Sequence, residues 1–405
     1  MKIQFHGRFR PRVLHVVLAV GVLVLAVALA ACGGSGSSSS STESSSGGES
    51  SGSSSGEAPG LAQANSFLEE FQQGSAEWKG PMSGPKLSPS KKIAYVAYDD
   101  KNEQVEAWES ALKEVAGKIG WELDVLDGQG TTTGEQSALD QAISLKPDGI
   151  ILGSMPESFA PYFLRAEKAG IAVVGVNSDT GFGAFPKEGI AWNVMQDPSE
   201  VAKALTDWVI SKSAGKARVI LTTDPAFAIV KEKTKAMQEA LKPCTECELL
   251  EFLQVPFETA ESRVPGLITN WVSKYGSGGP VYLLQPSDFF VDYEVPSLRS
   301  AGVEQGQFVL TGMDGPPPAY ERIRNGDEYQ EVTVPIPTQL EAYQLIDALN
   351  RLFNNSKPTG DPPPGYVVDK ETIETAGGKN NEFVPASGYA KHYEELWNTG
   401  KTTAK

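Results

Sequence analysis

Ile93-Ala94-Tyr95-Val96-Ala97 is a strand-sized apolar run, and the stretch from Lys92 to Asp179 repeats its pattern. Val105, Trp108, Leu112, Val115 and Ile119 follow three or four residues apart, so they share one face of a helix. Gly120 ends that helix, because a C-terminal cap needs the left-handed backbone that glycine enters freely. Trp121, Leu123 and Val125 alternate at strand period, and Gln136 to Leu145 is helical again. Gly149-Ile150-Ile151-Leu152 is apolar throughout, as a strand covered on both faces must be. Phe159 to Ala169 reads as a helix closed by Gly170, and Ile171 to Val176 as a fourth strand. Strands alternating with helices imply βαβ units, a parallel sheet and right-handed crossovers.

The same rhythm returns after a capped helix that starts at Asp197-Pro198-Ser199-Glu200. Strands are expected at Ala217 to Leu221, Leu249 to Leu253, Val281 to Gln285 and Gln307 to Thr311. Helices fall between them at Val230 to Leu241, Arg263 to Tyr275 and Asp288 to Ala301. Further on come a strand at Glu331 to Val334, a helix through Ala342 to Phe353, a strand near Tyr366 and a helix at Tyr389 to Trp397. The fold class is α/β, with two Rossmann-like lobes of parallel sheet in tandem. Ligands of open parallel sheets sit beyond the carboxyl ends of the strands. Two such sheets facing each other make a cleft with polar loops on both walls.

The 405 residues carry a net charge of −16, which disfavours nucleic acid and anionic lipid as partners. Residues 1–31 run against that acidity: a basic start to Arg12, then an almost wholly apolar run to Ala31, as in a secretory signal. Leu29-Ala30-Ala31-Cys32 resembles the bacterial lipobox, which implies a diacylglycerol anchor on Cys32. Residues 32–57 are nearly all Ser and Gly and read as a flexible tether. Residues 58–91 form an extension, with one helical face at Leu61, Ala64, Phe67, Leu68 and Phe71.

Beyond the signal the only histidine is His392, which argues against histidine zinc sites and Ser-His-Asp or Cys-His catalysis. No metal site and no cofactor are expected. Gly128-Gln129-Gly130 with Gly134 has the wrong spacing and follows the wrong strand for a dinucleotide fingerprint. Cys244-Thr245-Glu246-Cys247 lacks a second pair to complete a zinc site, and outside the cytoplasm it reads as a small structural disulfide. The better functional candidates are polar and aromatic residues at strand ends: Asp99 and Asn102, Asn177 and Asp179, Trp192 and Asn193, Phe227, Asp288 and Asp314. Asn and Asp offer paired hydrogen bonds suited to vicinal hydroxyls, and Trp or Phe an apolar face for a sugar ring.

Lys92 to about Val368 resembles the type I periplasmic binding proteins, the sugar-type branch near ribose-binding protein in particular. The likeness rests on Lys92-Ile93-Ala94-Tyr95-Val96, Lys146-Pro147-Asp148-Gly149-Ile150-Ile151-Leu152, Ala169-Gly170-Ile171-Ala172-Val173-Val174 and Arg324-Asn325-Gly326 leading to Glu331-Val332-Thr333-Val334. It implies ligand contacts from Asn102, Asn177, Lys233, Asp288 and Asp314. It also implies three crossovers between lobes, near Asn193, Pro335 and Tyr366. Lobe one would then be 92–192 plus 336–365, and lobe two 193–335 plus 366–405. Gln104-Val105 stands where the family has an aromatic pair, so the site is not a ribose site.

The expectation is a monomeric, lipid-anchored, extracytoplasmic protein that is not an enzyme. It would capture a small polar ligand, best a sugar, and hand it to the permease subunits of an ABC importer. A ligand-binding sensor with a membrane signalling partner fits the same sequence, and an α/β hydrolytic enzyme fits it less well.

Overall fold

The computed structural model describes residue 58 and residues 60–74, 76–326 and 328–403. The signal, the lipidation position Cys32 and the Ser/Gly tether to residue 57 lie outside the described residues. The extension opens with helix α1 (Leu61–Phe71). The first lobe's sheet contains β1 (Lys92–Ala97), β2 (Glu122–Asp127), β3 (Gly149–Gly153), β4 (Ala172–Val176), β5 (Gly183–Phe185) and β6 (Ile190–Val194). Their order is β2-β1-β3-β4-β6-β5, parallel throughout except for β5 against β6. Helices α2 (Glu103–Ile119), α3 (Thr132–Leu145) and α4 (Ala160–Lys168) connect the strands.

The residues explain the layers. Asn102 caps α2 by accepting from the Gln104 and Val105 amides, and Gly120 closes it at φ 75°. Val105, Trp108, Leu112 and Val115 are buried, as their spacing requires. Alternate residues of β1 go to opposite faces of the sheet. Ile93 and Tyr95 meet α2, whereas Ala94 and Val96 meet α3 and α4. That is why β1 and β3 read as continuous apolar runs.

The second lobe repeats the plan. Its strands are β7 (Arg218–Thr223), β8 (Glu248–Gln254), β9 (Val281–Leu284), β10 (Phe308–Asp314), β11 (Gln330–Pro335) and β12 (Val368–Asp369). The order is β12-β11-β10-β9-β7-β8, parallel except for β11 against β12. Helices α5 (Pro198–Lys212), α6 (Ala228–Leu241), α7 (Ala260–Tyr275), α8 (Val291–Ser300) and α9 (Pro317–Asn325) flank it. In each lobe the chain starts on the second strand of the sheet, steps to the edge and then crosses back. That reversal leaves a crevice at the carboxyl ends of the first and third strands.

Two differences from the sequence reading are local. Strand β5 was not expected, since Gly183 to Phe185 has no apolar period. Where a helix was expected from Asp288, a single 3-10 turn at Asp288–Phe290 precedes α8. A larger difference concerns the C-terminus. Helix α10 (Thr338–Phe353) belongs to the first lobe's core, and β12 returns to the second sheet. Helix α11 (Tyr389–Thr399) then crosses once more and packs on α10, although 366–405 had been assigned to lobe two. Tyr343 and Trp397 stack at 5.4 Å, and the Trp397 indole donates to Asp347 at 3.0 Å. Periodicity identifies such an apolar face, but not the partner that covers it.

Cys244 and Cys247 are joined in a disulfide. Cys244 is buried with Ala64 of α1 and Ile210 of α5, so the small loop seats the extension helix on lobe two.

Candidate functional site

A cavity of about 50 Å³ lies between the strand ends of the two sheets. First-lobe residues Tyr98, Asn102, Gln104, Trp108, Ser154 and Asn177 line one wall. Second-lobe residues Phe227, Lys233, Phe257, Ser287 and Asp314 line the other. Eight of these eleven lie at or after the carboxyl ends of strands, where the topology places a binding crevice, and Gln104, Trp108 and Lys233 lie on the helices that follow. Ser154, Asn177 and Asp314 have φ of 55°, 51° and 100°. Residues other than glycine rarely hold that conformation, and such strain concentrates at ligand clamps.

Each position is held by its own scaffold. The Asn193 carboxamide oxygen accepts from the Ser178 amide at 3.1 Å, and the Ser178 hydroxyl donates to the Leu152 or Val176 carbonyl. This knot fixes the backbone of Asn177. The Ser178 hydroxyl also receives the Met155 amide at 3.2 Å, beside Ser154. In lobe two, Asp224 accepts from the Ala226 amide at 2.9 Å and the Phe257 amide at 2.8 Å. One carboxylate thereby positions both aromatic loops. The rings of Tyr98 and Phe227 meet edge to face at 5.0 Å across the lobes, and Phe227 meets Phe257 at 5.2 Å. Outside the cavity, Lys231 pairs with Glu157 of the other lobe at 2.8 Å.

The charged centre is Asp314 with Lys233. The Lys233 ammonium donates to Asp314 and to the Pro286 carbonyl, both at 3.1 Å, while Ser287 donates to the other Asp314 oxygen at 2.7 Å. Burial pushes the Asp314 carboxyl up from its ordinary value, and the Lys233 charge opposes that. On the first-lobe side the Trp108 indole donates to Glu341 at 2.7 Å, and burial pushes that carboxyl up to about 8. The Gln104 amide donates to Thr338 at 3.0 Å. The wall therefore combines aromatic faces, two asparagine side chains and one internally neutralised ion pair. It can stack a ring and exchange hydrogen bonds with hydroxyls. Among the described residues no cluster of His, Cys, Asp or Glu is placed to hold a metal ion.

Of the ten residues singled out from sequence, Asn102, Asn177, Phe227, Lys233 and Asp314 meet in this cavity. The other five do not line it. Asp99 accepts the Lys101 amide at 3.0 Å within its own turn. Asp179 accepts from the backbone and hydroxyl of Thr180. Trp192 packs edge-on against Phe182 at 5.2 Å, and Asn193 is wholly buried in the knot beneath Asn177. Asp288 is buried, where it accepts from the Gly315 amide at 2.8 Å, the Thr333 hydroxyl at 2.6 Å and the Gln330 amide. Polar residues at strand ends serve the loops as often as the ligand, and sequence does not say which way a side chain turns.

The cavity residues that the sequence reading missed include Trp108, Ser154 and Phe257. Ser154 and Phe257 follow β3 and β8, so the strand-end rule could have found them. Trp108 has the spacing of a core residue and is one; it also walls the cavity.

Comparison with known proteins agrees with this architecture. A family model described as "Periplasmic binding protein domain" matches residues 93–357. None of the curated proteins matches the sequence. Solved structures do match the fold. A galactofuranose binding protein is 17% identical with a TM-score of 0.61, over 70% of this chain and 96% of its own. An ABC transporter solute binding protein from Agrobacterium vitis, with bound allitol, is 17% identical with a TM-score of 0.61, over 72% and 99%. One from Actinobacillus succinogenes 130z, with bound D-allose, is 19% identical with a TM-score of 0.60, over 71% and 100%.

Proposed function

The chain belongs to the periplasmic binding protein domain family, an extracytoplasmic family of binding proteins and not of enzymes, and on that premise we propose that it captures a neutral sugar or sugar alcohol for an ABC importer. The observation that carries this reading is the interlobe cavity. Rings of Tyr98, Trp108, Phe227 and Phe257 there surround Asn102, Asn177 and the Lys233–Asp314 pair. Aromatic faces suit the apolar side of a sugar ring, and amide groups suit neighbouring hydroxyls. The similar folds that hold allitol and D-allose support the ligand class. A volume of about 50 Å³ has room for only a few waters, so a sugar enters after the lobes part and is held when they close.

The test is a thermal-shift screen of D-allose, allitol, arabinose, galactose and related polyols, followed by calorimetric titration of each hit. A ligand held only by the folded state raises the melting temperature as its concentration passes Kd. The expected result is one saturable site without turnover. Failure of every sugar and polyol to stabilise the protein sinks the reading, and release of a hydrolysed product returns the enzyme alternative.

Anchoring through Cys32 belongs to the same proposal. Cys32→Ser blocks lipid attachment and cleavage before residue 32, so the variant stays unprocessed or is released. A fully processed C32S form that still fractionates with membranes rules out the lipid anchor. Two acyl chains hold a protein at a bilayer, whereas one does so only marginally.

A further inference from the structure

We infer that residues 60–90 form a strap across the hinge, docked on both lobes, that restrains how far the lobes open. Its first half belongs to lobe two. Phe71 of α1 sits in the apolar core with Val201, Leu205 and Trp208 of α5, with Phe67 packed against it. The Lys203 ammonium lies 4.0 Å from the Phe67 ring centre. At the N-terminal end of α1, a Cβ on Gly60 would stand 2.9 Å from the Pro243 carbonyl, so the helix is seated tightly beside the Cys244–Cys247 loop.

Its second half belongs to lobe one. Trp78 lies 4.8 Å from the His392 ring and 5.1 Å from the Tyr393 ring, both on α11. The backbone then pairs with the C-terminal segment. Gly84 donates to Gly400 at 3.2 Å, Leu87 to Trp397 at 2.9 Å, and Thr402 to Met82 at 3.2 Å. Arg351 of α10 donates to the Ser83 carbonyl at 2.9 Å, and Asn350 accepts from the Ser88 amide at 2.8 Å. Between the two docks the chain passes over the crossover that holds Pro362, Pro363 and Pro364. A cavity of about 300 Å³ lies there between Gly74, Glu77, Trp78, Lys79 and Gly80 on one side and that crossover on the other. Phe71 presses on the same crossover: a Cβ on Gly365 would come within 2.1 Å of its ring.

The three crossovers of the fold are thus joined by two more, made by the terminal segments. The strap runs from lobe two to lobe one, and α11 is reached by a return from β12. A tether that ties two bodies removes separated arrangements from their ensemble, as a crosslink removes extended states from an unfolded chain. Ligand held in the cleft needs the closed arrangement, so its apparent Kd varies inversely with the closed fraction. This inference rests on the binding reading for its affinity readout but not for its structural one.

The test severs the strap in the folded protein. A protease recognition sequence replaces residues 72–77, which lie between the docks, and the protein is measured before and after cutting. The uncut form is the folded reference, since both docks and every core residue are retained. Cutting is expected to lengthen and broaden the distance distribution between spin labels on α4 and α7 in the ligand-free protein. It should also weaken sugar binding by about threefold to tenfold. Identical distance distributions before and after cutting overturn the strap. If distances change while no sugar binds in either form, the strap stands and the sugar reading fails.

Discussion

Asp314→Ala lowers affinity for the captured sugar by roughly tenfold to a hundredfold, the cost of about 1.5–3 kcal/mol for a hydrogen bond to a charged group. Among the described residues Asp314 is the only carboxylate lining the cavity, and both its oxygens are in use. Removing it strands the buried Lys233 ammonium, which retains only the Pro286 carbonyl as acceptor. An uncompensated buried charge is strongly destabilising, so the variant also melts lower. Asp314→Asn separates the loss of hydrogen bond and shape from the loss of charge, since it too leaves the Lys233 ammonium without a counter-charge. It keeps an oxygen for Lys233 and the shape of the side chain while removing the negative charge. Calorimetric titration of both variants with the sugar found by screening is the measurement. Wild-type affinity in D314A means that this cavity is not where the ligand is held.

Asp288→Ala has the opposite profile: a large loss of stability with little direct effect on ligand contacts. The carboxylate gathers the Gly315 amide, the Thr333 hydroxyl and the Gln330 amide, tying β10, β11 and the turn before α8 together. An alanine takes the acceptor from the Gly315 amide and the Thr333 hydroxyl, at about 1–3 kcal/mol for each that finds no replacement, and leaves the Gln330 amide only the Val332 carbonyl at 3.4 Å. A fall of several degrees in melting temperature follows. The pH dependence carries the same signature. Burial pushes this carboxyl up to about 7, against the pull of its donors and Arg322. The folded state therefore binds the proton more tightly than the unfolded chain. Its contribution is full below the ordinary aspartate range and is lost as pH rises through about 7. Glu341 and Glu294, each pushed up to about 8 by burial, act in the same direction. Wild-type melting temperature should accordingly fall from pH 5 to pH 8, and Asp288→Asn should reduce that slope. A slope unchanged in D288N, or a D288A protein as stable as wild type, refutes this role.

The structure also places Asp288 apart from Asp314. By sequence both are candidates, since each lies beside the end of a second-lobe strand and each falls at a family position, with Asp314 in Met313-Asp314-Gly315 the firmer match. Gly312 separates their roles. A Cβ there would stand 1.8 Å from the Asp288 carboxylate, so the absence of a side chain lets Asp288 turn into the sheet. Asp314, at φ 100°, is turned the other way, toward Lys233. Asn177 and Asn193 divide in the same manner: one faces the cavity, and the other fixes the backbone beneath it.

What the sequence determined alone is the part governed by local rules. Apolar period sets strand and helix; caps such as Asn102, Gly120 and Asp197 set their ends; alternation of the two sets the parallel sheets and the crevice at their strand ends. Those rules act over a few residues and are legible in order along the chain. Tertiary structure alone decided which polar groups at the strand ends meet each other, which core residue doubles as a cavity wall, and where the terminal segments dock. Trp108, the Lys233–Asp314 pair and the covering of α10 by α11 all depend on partners far away in sequence. A side chain's direction is fixed by the backbone it stands on and by the neighbour that satisfies it, and neither is contained in the residue's own surroundings in the chain.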